Sequence, residues 1–374
     1  MPSPAFRSAA LAVAMLAAKL AVAQNILPHG ALFALTNDPA GNQIISYDRV
    51  GPEGELVRAG AFDVGGVGIN FTGSGLNPLG SQDAIIVSPD NAFVFAVNAG
   101  SNTVASFAVD GAALTRRDLQ PSGGITPVSL TLHGRVLYVV NAADGGSIRG
   151  FRVGSSGVLR PIEGATVNGI GADAGAIEFS PDGRRLFITE RISDQIIRVD
   201  VDRLGRPGAI TRFVSPVPEP FGTDIRADGV LLISEANDGI PEASSLSSYR
   251  IDQRSGELTL VSEGVITGYT FGCWVEFTDD GRYAYVSNTP DGVMTSYAVA
   301  PDGTLTLLAG NAGQTGPGVL DAEMAGNQLY VVVNGEGSIA QFTVASDGSL
   351  VRNEDIEVSD DAFLPSFFAA IAGY

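Results

Sequence analysis

The chain has 374 residues and a formal charge of −19, with 22 basic against 41 acidic side chains. That balance excludes a general nucleic-acid binder and a binder of anionic membranes, since both need basic surface. Cys273 is the single cysteine, so no intramolecular disulfide exists and stability must come from packing.

Residues 1–23 read as a signal peptide. Arg7 supplies the charged end, "AALAVAMLAAKLAVA" the apolar run, interrupted by Lys19, and Ala21-Val22-Ala23 an A-x-A cleavage site. The mature chain is then expected to start at Gln24 and to be secreted. Removing Arg7 and Lys19 leaves 20 basic residues against 41 acidic ones, hence −21, and no lysine remains. Schiff-base catalysis and lysine-based phosphate binding are excluded with it. No later segment is long enough to span a bilayer. Asn70-Phe71-Thr72 forms an N-glycosylation triplet inside a Gly-rich loop.

From there the chain is a repeat. "DAIIVSPDNAFVFAVNAGSNTVASFAV", "GAIEFSPDGRRLFITERISDQIIRVDV" and "CWVEFTDDGRYAYVSNTPDGVMTSYAV" share one pattern. Each is an apolar strand, a tight turn, a second strand ending in Asn or Glu, a polar turn and a third strand. A fourth follows, as in "GELTLVSEG". Turn residues Asp90, His133, Asp182, Asp228, Asp280 and Ala325 recur in steps of about 43 to 52 residues, the length of a four-stranded propeller blade. Blades 2 to 7 begin near Asp83, Pro127, Gly175, Gly222, Cys273 and Val319. The first block lacks its inner strand, and "LPSFFAAIAGY" (Leu364 to Tyr374) fits that role from the other end. The expected fold is all-β: residues 24–374 form one seven-bladed β-propeller whose blade 1 is closed by the C-terminal strand.

Counting four residues back from each turn residue gives Ile86, Ser129, Glu178, Asp224, Glu276 and Asp321, with Phe367 for blade 1. Four neighbouring blades thus direct carboxylates at the central channel. Their repulsion in a confined space calls for a bound cation, a raised pKa or a channel full of water. Ca²⁺ is the hard cation that suits all-oxygen ligands. At the end of the second strand, Asn37, Asn98, Asn141 and Asn288 give way to Glu190 and Glu235 in blades 4 and 5, with Arg191 beside the first. That exchange reads as site residues or as solvated charge. Phe221, Tyr269, Phe271 and Trp274 gather in the loops feeding blades 5 and 6, as a wall for an apolar ring or as inter-blade packing. His133 and His29 fall on the opposite face, and Cys273 reads as a small buried residue.

"LYVVNAADGGSIRGFRV", "VFAVNAGSNTVASFAV" and the "SPDGRRLF" turn resemble the repeats of the lactonase-type seven-bladed β-propeller family. That family includes 6-phosphogluconolactonase-like proteins and fungal carboxymuconate lactonising enzymes. The resemblance spans the mature chain and implies hydrolysis or formation of lactone rings. The lactonising enzymes use His, Arg and Glu around the channel; Glu178, Glu190 and Arg191 match the Glu and Arg types, and no His does. The expectation is a monomeric, secreted enzyme acting on a neutral or apolar cyclic ester or related small metabolite. Glu178 or Glu276 would be the acid or base, Arg191 the stabiliser of substrate charge, and Asp224 and Asp321 holders of charge or cation. The alternative is a secreted protein that binds an apolar small molecule or lipid through Trp274 and its neighbours, as similar fungal propellers are thought to do.

Overall fold

A computed structural model gives the fold of residues 28–69, 79–335, 337–353, 356–357 and 368–374. The leader 1–23, Asn70 and Phe367 lie outside these described residues. Seven antiparallel sheets form the blades. Their inner strands are Ala370–Gly373, Ile85–Val87, Pro127–His133, Ala174–Phe179, Pro220–Ile225, Gly272–Phe277 and Val319–Ala325, for blades 1 to 7 in turn.

The apolar pattern follows depth. Second strands such as Arg185–Glu190 and Val230–Glu235 are buried at every residue because a neighbouring blade covers each face. Outer strands such as Glu55–Asp63 and Ala113–Pro121 are mostly exposed. Blades are also stitched by a repeated bond. A side chain of one blade donates to the glycine carbonyl of the next blade's outer hairpin: Tyr138 to Gly205 (2.7 Å), Tyr285 to Gly348 (3.0 Å), Ser106 to Gly157 (2.6 Å) and Ser248 to Gly303 (2.7 Å).

Blade 1 is closed as the sequence implies. Leu32 pairs with Gly373, Phe33 with Ala372, Ala34 with Ile371 and Leu35 with Ala370. The seam repeats the stitch, with Tyr330 donating to the Gly54 carbonyl at 2.5 Å. Gly54 has φ +65°, and an added Cβ would lie 2.4 Å from the Tyr330 hydroxyl. Only glycine fits there.

Candidate active site

Glu178, Asp224 and Glu276 share one register position on adjacent inner strands, and each carboxylate accepts a backbone N–H of the following blade. Glu178 receives Ile225 (3.2 Å), Asp224 receives Phe277 (2.7 Å) and Glu276 receives Met324 (3.2 Å). Those donors each follow the next blade's own register residue, so the series identifies its members. Glu323, which receives the Gly373 N–H, is the blade 7 member, and Thr131, which receives Phe179 (3.0 Å), is that of blade 3. Counting back from the turn points to Asp321 and Ser129 instead. In blades 3 and 7 the turn between the paired residues is only two residues long, so the count overshoots by two. Asp321 and Ser129 form a second, shallower row and accept Ile371 and Ile177.

The channel mouth on the side where inner strands begin is crossed by Leu79–Asp83. Ser81 donates to Val128 in blade 3 (2.8 Å), and Gln82 bonds Gly175 in blade 4, Thr223 in blade 5 and Val275 in blade 6. Asp83 turns into the channel at φ 60°. Burial, then mutual repulsion, pushes Asp83 up to about 8, while burial pushes Asp224 up to about 6. Glu178, Glu276, Asp321 and Glu323 are raised well above the carboxylate range by the same causes. The channel thus relieves its charge by holding protons and backbone N–H groups. Among the described residues, no group of three or more His, Cys, Asp or Glu side chains comes together as a metal site.

Trp274 anchors this crossing segment. It is 2 % exposed, its indole N–H donates to the Ser81 carbonyl at 2.8 Å, and its ring meets Phe221 edge-on at 5.1 Å. The open ligand wall expected of Trp274 and Phe221 is a packed floor, because the segment lies over it. Tyr269 is half-buried and leans toward Gly310 in the outer strand of blade 6. Glu190 and Glu235 are buried too. Glu190 accepts the Ser193 N–H at 2.9 Å and Glu235 accepts the Ser245 hydroxyl at 2.7 Å, the turn-fixing work that Asn98 does for Thr103 in blade 2.

Above the crossing segment lies the rim on the strand-start face. The residue before each inner strand of blades 3 to 7 is left-handed: Thr126, Asp173, Glu219, Phe271 and Gly318, with φ of 59°, 68°, 58°, 50° and 79°. Its carbonyl accepts the N–H of the residue just past the second strand, namely Ala142, Arg191, Ala236, Thr289 and Asn334. Arg191 therefore sits where two other blades have alanine. Its guanidinium bonds the Asp173 carboxylate and carbonyl, lies 5.0 Å from the Phe221 ring centre and abuts Gly80. Among the described residues its Nη1 has no hydrogen-bond acceptor. Glu219 is within electrostatic range of Arg191; burial raises its carboxyl, Arg191 lowers it, and Asp238 and Asp173 raise it. Glu219 and Asp173 escape a reading of the sequence because nothing but their φ distinguishes them from ordinary loop acids.

A ring of seven antiparallel sheets around a polar axis defines a seven-bladed β-propeller. The chain matches the Lactonase, 7-bladed beta-propeller family over residues 69–169, 162–273 and 231–362, and it belongs to that family. A 6-phosphogluconolactonase of Yersinia enterocolitica is 29% identical over 150 residues, 38% of this chain and 43% of that enzyme, so less than half of the relative is matched. Among solved structures, a protein from Lactobacillus plantarum superposes with TM-score 0.71 at 16% identity, covering 93% of this chain and 100% of that one. The periplasmic gluconolactonase PpgL of Pseudomonas aeruginosa gives 0.66 at 17%, covering 88% and 96%. At such identities the structural likeness speaks for the fold alone. No helix among the described residues is long and apolar enough to cross a membrane.

Proposed function

We propose that this protein hydrolyses a lactone, opening the cyclic ester of a small molecule at the rim of blades 4 to 6. One observation carries the reading: a guanidinium whose Nη1 has no acceptor among the described residues lies within electrostatic range of a carboxyl that burial raises. Family membership and the similarity to a 6-phosphogluconolactonase support the reaction class. Glu219 accepts a proton from water as the water oxygen bonds to the carbonyl carbon. The carbonyl electrons move onto oxygen, where Arg191 stabilises them. When the carbonyl reforms, the ring C–O bond breaks and the ring oxygen takes the proton from Glu219. Lactone plus water becomes a hydroxy acid. Asp173 positions the guanidinium and does not react.

Glu178 and Glu276 are the rival acid–base pair. Both lie beneath Ser81 and Gln82 and hold backbone N–H groups of the next blade, which favours a structural role. The test is proton release from a panel of γ- and δ-lactones. Arg191→Gln and Glu219→Gln are each expected to lower kcat/KM by about a hundredfold. The rising limb of the pH–rate profile should have a midpoint raised from that of an ordinary glutamate and vanish in Glu219→Gln. Full activity in Glu219→Gln with complete loss in a Glu178→Gln, Glu276→Gln double variant returns the reaction to the channel. The leader ending at Ala23 supports export, so the same reading sets the reaction outside the cytoplasm. An exported chain starting at Gln24 checks it.

A further inference from the structure

We infer that the rim binds an aliphatic tail, so that the substrate is an uncharged lactone bearing an alkyl or acyl chain; this rests on the reading just given. Glu219 is hemmed by two turns. Its N–H donates to Asp194 of the blade 4 turn at 2.8 Å, and its carbonyl accepts Ala236 at the start of the blade 5 turn at 3.0 Å. Both turns carry exposed aliphatic side chains, Ile192 at 72% and Ile240 at 52%. The strand ends beside them add Val214 at 79% and Ile266 at 55%. Val214 is tied to the first turn through the bond from Ser215 to Asp194, and Ile266 to the second through that from Thr267 to Ser244.

Phe271 completes the sector. Its ring lies over Gly239, where a Cβ would come within 2.4 Å, and it is 38% exposed. The left-handed φ it shares with the equivalent residues of blades 3 to 7 places its ring at the blade 5 turn. Five exposed apolar side chains on the turns and strand ends around Glu219, in a chain this acidic, point to a binding surface. Its position around Glu219 and Arg191 assigns it to the substrate of that site.

Charge sets the rest of the choice. Arg191, the cation closest to the site, is engaged by Asp173 and flanked by Glu219. The channel below is lined with acids, and Lys19 of the leader is the chain's one lysine. A phosphorylated lactone would meet net negative potential at the rim, whereas an aliphatic tail meets Ile, Val and Phe.

The experiment uses the whole mature chain and a γ-lactone series with alkyl substituents of increasing length, together with 6-phosphoglucono-δ-lactone. Binding of the matching alkyl lactams, which resist hydrolysis, is measured by calorimetry. Both kcat/KM and lactam affinity are expected to rise by up to about fourfold per buried methylene. The long-to-short ratio should collapse in an Ile192→Ser, Ile240→Ser double variant. Flat dependence on chain length, or preference for the phosphorylated lactone, overturns the inference. If no lactone is hydrolysed yet the lactams bind with the expected dependence, the hydrolase reading falls and the tail site stands.

Discussion

Glu190 and Glu235 occupy a position that four other blades give to asparagine. An amide fixes the following turn without charge; a buried carboxylate must manage its proton. Glu235 is fully buried, and burial pushes its carboxyl up to about 8 against an ordinary 4.5, with the Ser247 and Ser245 hydroxyls opposing. The folded chain therefore keeps this proton over a pH window in which the unfolded chain has released it. Stability from this group is fully present below the ordinary carboxylate value and is lost as pH rises toward 8. A tenfold difference in proton affinity between the folded and unfolded chain is worth about 1.4 kcal/mol, so the loss is on the order of a few kcal/mol. Glu235→Gln cannot titrate. Relative to wild type it should gain stability steadily between about pH 5 and pH 8, read as a change in urea midpoint at constant slope. A constant difference across that window means Glu235 is ionised in the fold.

At the scale of the element, the crossing segment Leu79–Asp83 does what no blade strand does, since it joins blades 3 to 6 across the axis. Beside the bonds of Ser81 and Gln82, the Trp274 indole fastens it through the Ser81 carbonyl. Trp274→Phe keeps a ring against Phe221 and removes the donor, stranding a buried carbonyl at a cost of about 1–3 kcal/mol. Circular dichroism through a denaturant titration reads that cost. In the wild type, the indole should emit at short wavelength and resist quenching by acrylamide; emission typical of a water-exposed indole means the mouth is open. This segment was illegible in the sequence. "LGSQDA" has no period, and its partners lie up to 193 residues away. The blades were legible because every blade repeats one burial pattern, so periodicity alone finds them. The channel acids were half legible: Glu178, Asp224 and Glu276 came from a turn count that holds where turns match, and Glu323 was lost where the turn shortens. Trp274 and Phe221 were grouped with Tyr269 and Phe271, but sequence cannot tell a wall from a floor.

The whole molecule depends on a seam between its ends. Strand pairing there covers only four residue pairs, so the seam gains from further fastening. Arg49 provides it. Its guanidinium donates to the Tyr374 carbonyl (2.6 Å), the Ala325 carbonyl (2.8 Å) and the Tyr330 hydroxyl (3.1 Å), joining blades 1 and 7 and the C-terminal residue. The side chain is buried against Tyr330, with the guanidinium carbon 5.4 Å from the ring centre. Hydrogen bonds from a charged donor to buried acceptors are worth about 1.5–3 kcal/mol each before compensation by water. Arg49→Ala should therefore cost about 3 kcal/mol or more in global stability. Arg282→Ala breaks an ion pair with Asp280 whose partners are 60% and 50% exposed, and should cost at most about 0.5 kcal/mol. Because a propeller unzips from its closure, the loss in Arg49→Ala should also appear as faster amide exchange at Ala370–Gly373 than in the central blades. Equal stability of the two variants, with the seam amides still protected, would mean that the four strand pairs close the ring unaided.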